Sequence, residues 1–141
     1  MDPIAFAEIH LDQDEKAAKA ATEGPWKVEV FNRNTGRQEW VVIGRAGSHA
    51  VITGDVGVGW MAGLPHDGTH ISLHDPARAL REVASGRRIL ARHTACATDG
   101  SGPCWSFPAQ EGLCRELADL LYRWSDDPGY HPDWMPEGLT P

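Results

Sequence analysis

Long apolar runs are missing from this 141-residue chain. No stretch approaches the ~20 apolar residues that a membrane-spanning helix needs. The opening Met1-Asp2-Pro3 is acidic, where a secretory leader would carry basic residues ahead of an apolar segment. Both absences predict a cytoplasmic protein that does not engage a membrane. Cysteine is scarce as well: there are three, an odd number. Cytosolic thiols stay reduced, which argues against a disulfide framework and leaves free thiols or metal ligands. Internal repeats and low-complexity linkers are absent. So is a Gly-x-Ser-x-Gly nucleophile elbow. The run Gly-Asp-Val-Gly-Val-Gly at 54–59 lacks a following Lys-Ser/Thr pair, which argues against a nucleotide site.

What is present points to one domain. A chain of this length buries roughly two thirds of its unfolded surface, enough for a real core. Its net charge of −7 argues against nucleic-acid binding by the whole surface. The charge is uneven, however. Residues 76–93 hold five arginines against one glutamate, so the remainder is more acidic than the total suggests.

Residues 3–22 read as a helix, with Pro3 in its first turn and Ala17, Ala18, Ala20 and Ala21 favouring helical backbone. Ile4, Ala7, Leu11 and Ala18 lie near one face, with Ile9 beside it. Gly24-Pro25 ends the helix and Trp26 folds back on it. Residues 26–53 alternate in short β-branched runs separated by turn signals, which predicts three antiparallel strands. The Gly-rich stretch 54–73 reads as loop. A helix over 76–93 is the clearest element: Asp75 is a good N-cap and Pro76 suits the first helical position. Leu80, Val83, Ala84 and Leu90 face its core side, and Gly86 implies close packing or a slight bend. A cysteine-containing loop, 94–109, leads to a helix over 110–124 with an apolar face of Leu113, Leu117, Leu120, Leu121 and Trp124. In the Pro-rich tail, 125–141, Tyr130 and Trp134 look like anchors. The fold class expected is α+β: a small three-stranded antiparallel meander packed against two or three helices, with a zinc-stapled loop as an option.

The block His74-Asp75-Pro76-Ala77-Arg78, continuing through Leu80 to Val83 and Arg87 to Leu90, resembles a family of small proteins from actinobacteria and their phages. The acidic, Ala-rich first helix ending in Gly24-Pro25-Trp26 agrees with it, as do Cys114 and the tail Tyr130 to Trp134. The resemblance implies a phage or mobile-element connection. It carries no established activity.

Three constellations offer chemistry. The first is His93, Cys96, Cys104 and Cys114. Zinc favours four tetrahedral ligands of this kind, and Cys3His is a common structural set. A paired Cys-x2-Cys knuckle is absent, and the alternative is a buried thiol at Cys114 with loop thiols at Cys96 and Cys104. The second is His66, His70 and His74, which would support a metal-dependent hydrolase only if a helix brought them together. The cap at Asp75 argues instead for a polar loop and a helix start. The third is the stripe Arg78, Arg81, Arg88 and Arg92, spaced along one helical face. It suits an acidic protein partner, or a nucleic acid as the alternative. Its bland reading is a solvated face paired with the chain's own carboxylates, such as Glu82, Glu116, Asp119, Asp126 and Asp127. The overall expectation is a small non-enzymatic interaction protein.

Overall fold

A computed structural model describes residues 1–32, 38–45, 50–55, 65–98 and 113–139. Four α-helices and three strands are found among them: α1 (Pro3–Ala20), β1 (Lys27–Asn32), β2 (Gln38–Ile43), β3 (Ala50–Asp55), α2 (Pro65–Leu73), α3 (Pro76–Thr98) and α4 (Arg115–Leu121). Single 3-10 turns follow at Tyr122–Trp124 and Pro132–Trp134. The chain forms two compact units, one of residues 1–15 and 82–141, the other of residues 16–81.

In the unit of residues 16–81, β1 and β2 pair antiparallel without interruption from Lys27↔Ile43 to Asn32↔Gln38. Strand β3 adds to the other side of β2, in the order β1-β2-β3. That second ladder breaks between Val42↔Ile52 and Ile43↔Ala50, leaving Val51 as the extra residue of a bulge. Trp40 and Val42 alternate inward on β2 and are buried. Helix α2 packs against β1 and β2. Trp26 does fold back, its indole N–H donating to the Thr22 carbonyl at 2.8 Å.

The expected fold class, a three-stranded antiparallel meander packed against two or three helices, is therefore corrected. The chain is helix-rich with a smaller β part. Helices of 18, 9, 23 and 7 residues stand beside strands of six. Only the two-stranded β1–β2 hairpin pairs without a break; the β2–β3 ladder is interrupted by the bulge between Val42 and Ile43. Two local misreadings contribute. Residues 65–73 are helical, not loop, and α3 continues past His93 to Thr98.

Gly68 explains the first of these. A Cβ built there would lie 2.6 and 2.8 Å from the ring atoms Cε3 and Cζ3 of Trp40. The missing side chain lets α2 sit directly on that indole. Gly68→Ala gains about 1 kcal/mol of helix propensity, but it drives a methyl into a buried, rigid ring at an overpacking cost of about 1–3 kcal/mol. The variant is expected to have a lower urea midpoint than the parent.

In the unit of residues 1–15 and 82–141, Asp2 caps α1 by accepting from the Ala5 N–H at 3.1 Å. Ile4, Phe6, Ala7 and Leu11 from α1 form one core with Val83 and Leu90 from α3, Leu117, Leu120 and Leu121 from α4, and Trp134 from the tail. Gly86 sits at the crossing, where an added Cβ would stand 2.8 Å from Leu11 Cδ2 and 3.5 Å from Leu120 Cδ1. Close packing is thus the reason for a glycine inside this helix. Arg87 turns outward to Asp12 and Glu15, each at 2.6 Å, and these hydrogen bonds, the one to Glu15 foremost, raise its pKa further above the ordinary arginine value.

The tail closes this core with aromatic rings. Phe6 lies 5.2 Å from Trp134 and 6.2 Å from Tyr130, centroid to centroid. His10 stacks on Trp124 at 5.2 Å. Both expected anchors therefore pack on the core, Trp134 buried and Tyr130 half-buried. Among the described residues, however, the buried Tyr130 hydroxyl has no hydrogen-bond partner. Burial raises its pKa above the usual value. The neutral phenol's contribution is therefore complete below the unfolded pKa of about 10 and is lost as pH rises through the higher folded value. Tyr130→Phe removes an unsatisfied polar group, which costs roughly 1–3 kcal/mol when buried. The variant is expected to unfold at higher urea concentration than the parent, and its stability should fall less steeply above pH 10.

Candidate functional site

The buried face of α3 repeats at Val83, Gly86, Leu90 and His93, in steps of three, four and three residues. Helical geometry therefore carries His93 inward with the apolar residues. It is the one buried polar or charged residue among those described, at 5 % exposure. Opposite it stands the start of α4. Leu117, Leu120 and Leu121 are buried and fix that helix on the core. Cys114 immediately precedes the helix and Glu116 lies in its first turn.

These three side chains form one contact chain through the His93 ring. Cys114 Sγ lies 3.4 Å from His93 Nδ1, and Glu116 Oε2 lies 2.5 Å from His93 Nε2. A carboxylate only accepts, so Nε2 carries the proton and donates to Glu116. In the neutral ring, Nδ1 then presents its lone pair on the side of the Cys114 sulfur. A carboxylate on the far nitrogen is the usual device for orienting a metal-binding histidine and making it more basic. The separation also suits a shared ion. Zinc bonds of about 2.3 Å to sulfur and 2.0–2.1 Å to nitrogen, opened to a tetrahedral angle, put the two ligand atoms about 3.5 Å apart.

Two of the four expected zinc ligands, His93 and Cys114, are thus brought together. Cys96 lies in the helical backbone of α3, but its side chain lies outside the described residues, and so does the whole of Cys104. Glu116 was read from the sequence only as one of many counter-charges. Its partner is the histidine instead, and an exposed carboxylate in an acidic chain carries no signal that would single it out.

The other sequence candidates are placed as follows. Asp75 caps α3 as expected, its Oδ1 accepting from the Arg78 N–H at 2.7 Å. The Arg78 guanidinium donates to the Leu73 carbonyl at 3.2 Å. Arg81, Arg88 and Arg92 are exposed. Arg92 and Glu116 both line a groove of about 580 Å³, together with Ile89 and Leu120. Glu82, one of the suggested counter-charges, meets Arg123 at 3.4 Å. His66 and His70 lie on α2, and His74 follows its last residue. Among the described residues, no three His, Cys, Asp or Glu side chains converge as a metal cluster. Likewise, no helix among them is long and apolar enough to cross a membrane.

A helix-rich chain with a small antiparallel sheet and a Cys–His–carboxylate array built on one buried histidine is the class of protein that fold and site define. The chain belongs to the family of unknown function DUF6221, whose model matches residues 1–136. Nothing among curated proteins or solved structures matches it.

Proposed function

We propose that the chain is a small non-enzymatic interaction module whose helical unit is stapled by one structural zinc ion. His93 Nδ1 and Cys114 would supply two ligands. Cys96 and Cys104, the remaining cysteines of the same sequence window, would supply the others. The observation that carries this reading is the His93–Cys114 separation of 3.4 Å, with Glu116 holding the opposite ring nitrogen. Zinc would act here only as a cross-link, tying the start of α4 to α3. Cobalt substitution tests it. Thiolate-to-cobalt charge-transfer absorption is expected in the parent chain and lost in Cys114→Ser; a cobalt-loaded chain without such absorption opposes the reading.

The partner surface in this proposal is the exposed arginines of α3, with an acidic protein as the occupant. Arg88 and Arg92 are its main residues in the helical unit, and Arg81 is exposed in the other unit. Arg78 is partly committed to the Leu73 carbonyl and contributes less. Arginine suits carboxylate-bearing partners because its planar fork binds them in pairs of hydrogen bonds. The double variant Arg88→Glu/Arg92→Glu is expected to abolish capture of an acidic protein partner while leaving thermal stability within a few degrees. Binding of duplex DNA at low salt, lost in the same variant, would favour a nucleic acid over a protein partner.

A further inference from the structure

Helix α2 gives the histidine-rich segment a geometry that a loop would not. His66, His70 and His74 stand four residues apart. The helix ends at Leu73, but its last turn carries on, with the His74 N–H donating to the Ile71 carbonyl at 3.0 Å. His70 and His74 are thereby stacked one turn apart. Their rings lie 4.7 Å apart, centroid to centroid, tilted by 53°. Both side chains are exposed, and neither ring is hydrogen-bonded or ion-paired among the described residues.

Two imidazoles held together in water gain little from each other, and when both are protonated they repel. A cation between them changes that balance. Two histidines spaced i, i+4 on one helical face are an established way to chelate zinc, and imidazole nitrogen also suits copper and nickel. Bonds of about 2.0–2.1 Å to one ion require the two nitrogens to approach within roughly 3–3.5 Å of each other. Exposed rings at this spacing reach that separation by rotation about their own side-chain bonds.

We propose that His70 and His74 form a two-imidazole, solvent-facing site for a divalent transition-metal ion of the nickel, copper and zinc group. It shares no residue with the site at His93, and it is independent of the zinc reading there. His66 does not complete a three-residue cluster with them among the described residues. Water therefore fills the other coordination positions, and the ion exchanges readily. Both rings must be neutral to bind, so uptake releases any proton they carry.

Titration of the full chain with nickel chloride, followed by calorimetry, tests this. Nickel avoids the thiol oxidation that copper would cause. One ion per chain is expected, with affinity at least tenfold weaker in His70→Gln and, separately, in His74→Gln. His66→Gln should stay within about twofold of the parent. Both key residues are exposed, so far-UV circular dichroism should show the variants folded. A parent chain that takes up no nickel overturns the proposal. So does binding that survives unchanged in both His70→Gln and His74→Gln.

Discussion

Chelation of zinc from the purified protein is expected to lower its melting temperature by about 8–16 °C. A free ion at a thousand times its dissociation constant stabilises the folded state by about 4 kcal/mol. For a chain near this length each kcal/mol moves the midpoint by about 2–4 °C. The effect should be largest at the start of α4. Cys114, the residue just before that helix, makes no side-chain cap hydrogen bond. Hydrogen exchange should therefore increase in residues 113–121 before it does in α1. His93→Ala should reproduce the chelated state and make the chelator ineffective. Glu116→Gln should fall between the two, because an amide orients the ring but no longer raises its basicity. A chelator that leaves the midpoint of the parent unchanged argues for the bland reading, in which Cys114 is an ordinary half-buried thiol.

Leu117→Ala is the second large expectation. Leu117 is fully buried and shares one core with Leu11, Leu120 and Leu121. Removing a core leucine side chain costs about 2–5 kcal/mol, depending on how far the neighbours collapse into the space. The upper half of that range is expected here, since Gly86 already holds Leu11 and Leu120 in close contact with α3 and leaves little freedom to relax. The loss should appear as a lower urea midpoint with an unchanged slope. The same substitution at Leu73, which is exposed, should change the midpoint little.

The sequence made some parts of this molecule legible because local chemistry decides them. The start of α3 is written in Asp75 and Pro76: one carboxylate satisfies an open N–H and one proline needs none. The inward side of α1 follows from the spacing of Ile4, Ala7 and Leu11, and all three are buried. Phe6 was missed, since the tail rings cover it from the side of that face. Ile9, placed beside the face, is instead exposed. Helix α2 was illegible for a tertiary reason: Gly68 lowers helix propensity, and only the Trp40 ring lying against it explains the choice. The strand register was similarly hidden, as the bulge at Val51 leaves no mark in the residue pattern.

The candidate site divides the same way. Burial of His93 can be read from its place three residues beyond Leu90 on a periodic apolar face. Its meeting with Cys114 follows from the cysteine spacing only once a metal is supposed. Glu116 could not be read at all, because the contact joins two helices 23 residues apart and rests on how α4 lies on the core. The array is a product of packing, and packing is the level at which sequence pattern stops informing.

The most direct test is the zinc content of the full chain, purified without chelator and dialysed before elemental analysis. The proposed staple predicts one zinc per chain in the parent and none in Cys114→Ser. A parent protein that is folded and contains no stoichiometric zinc would contradict it.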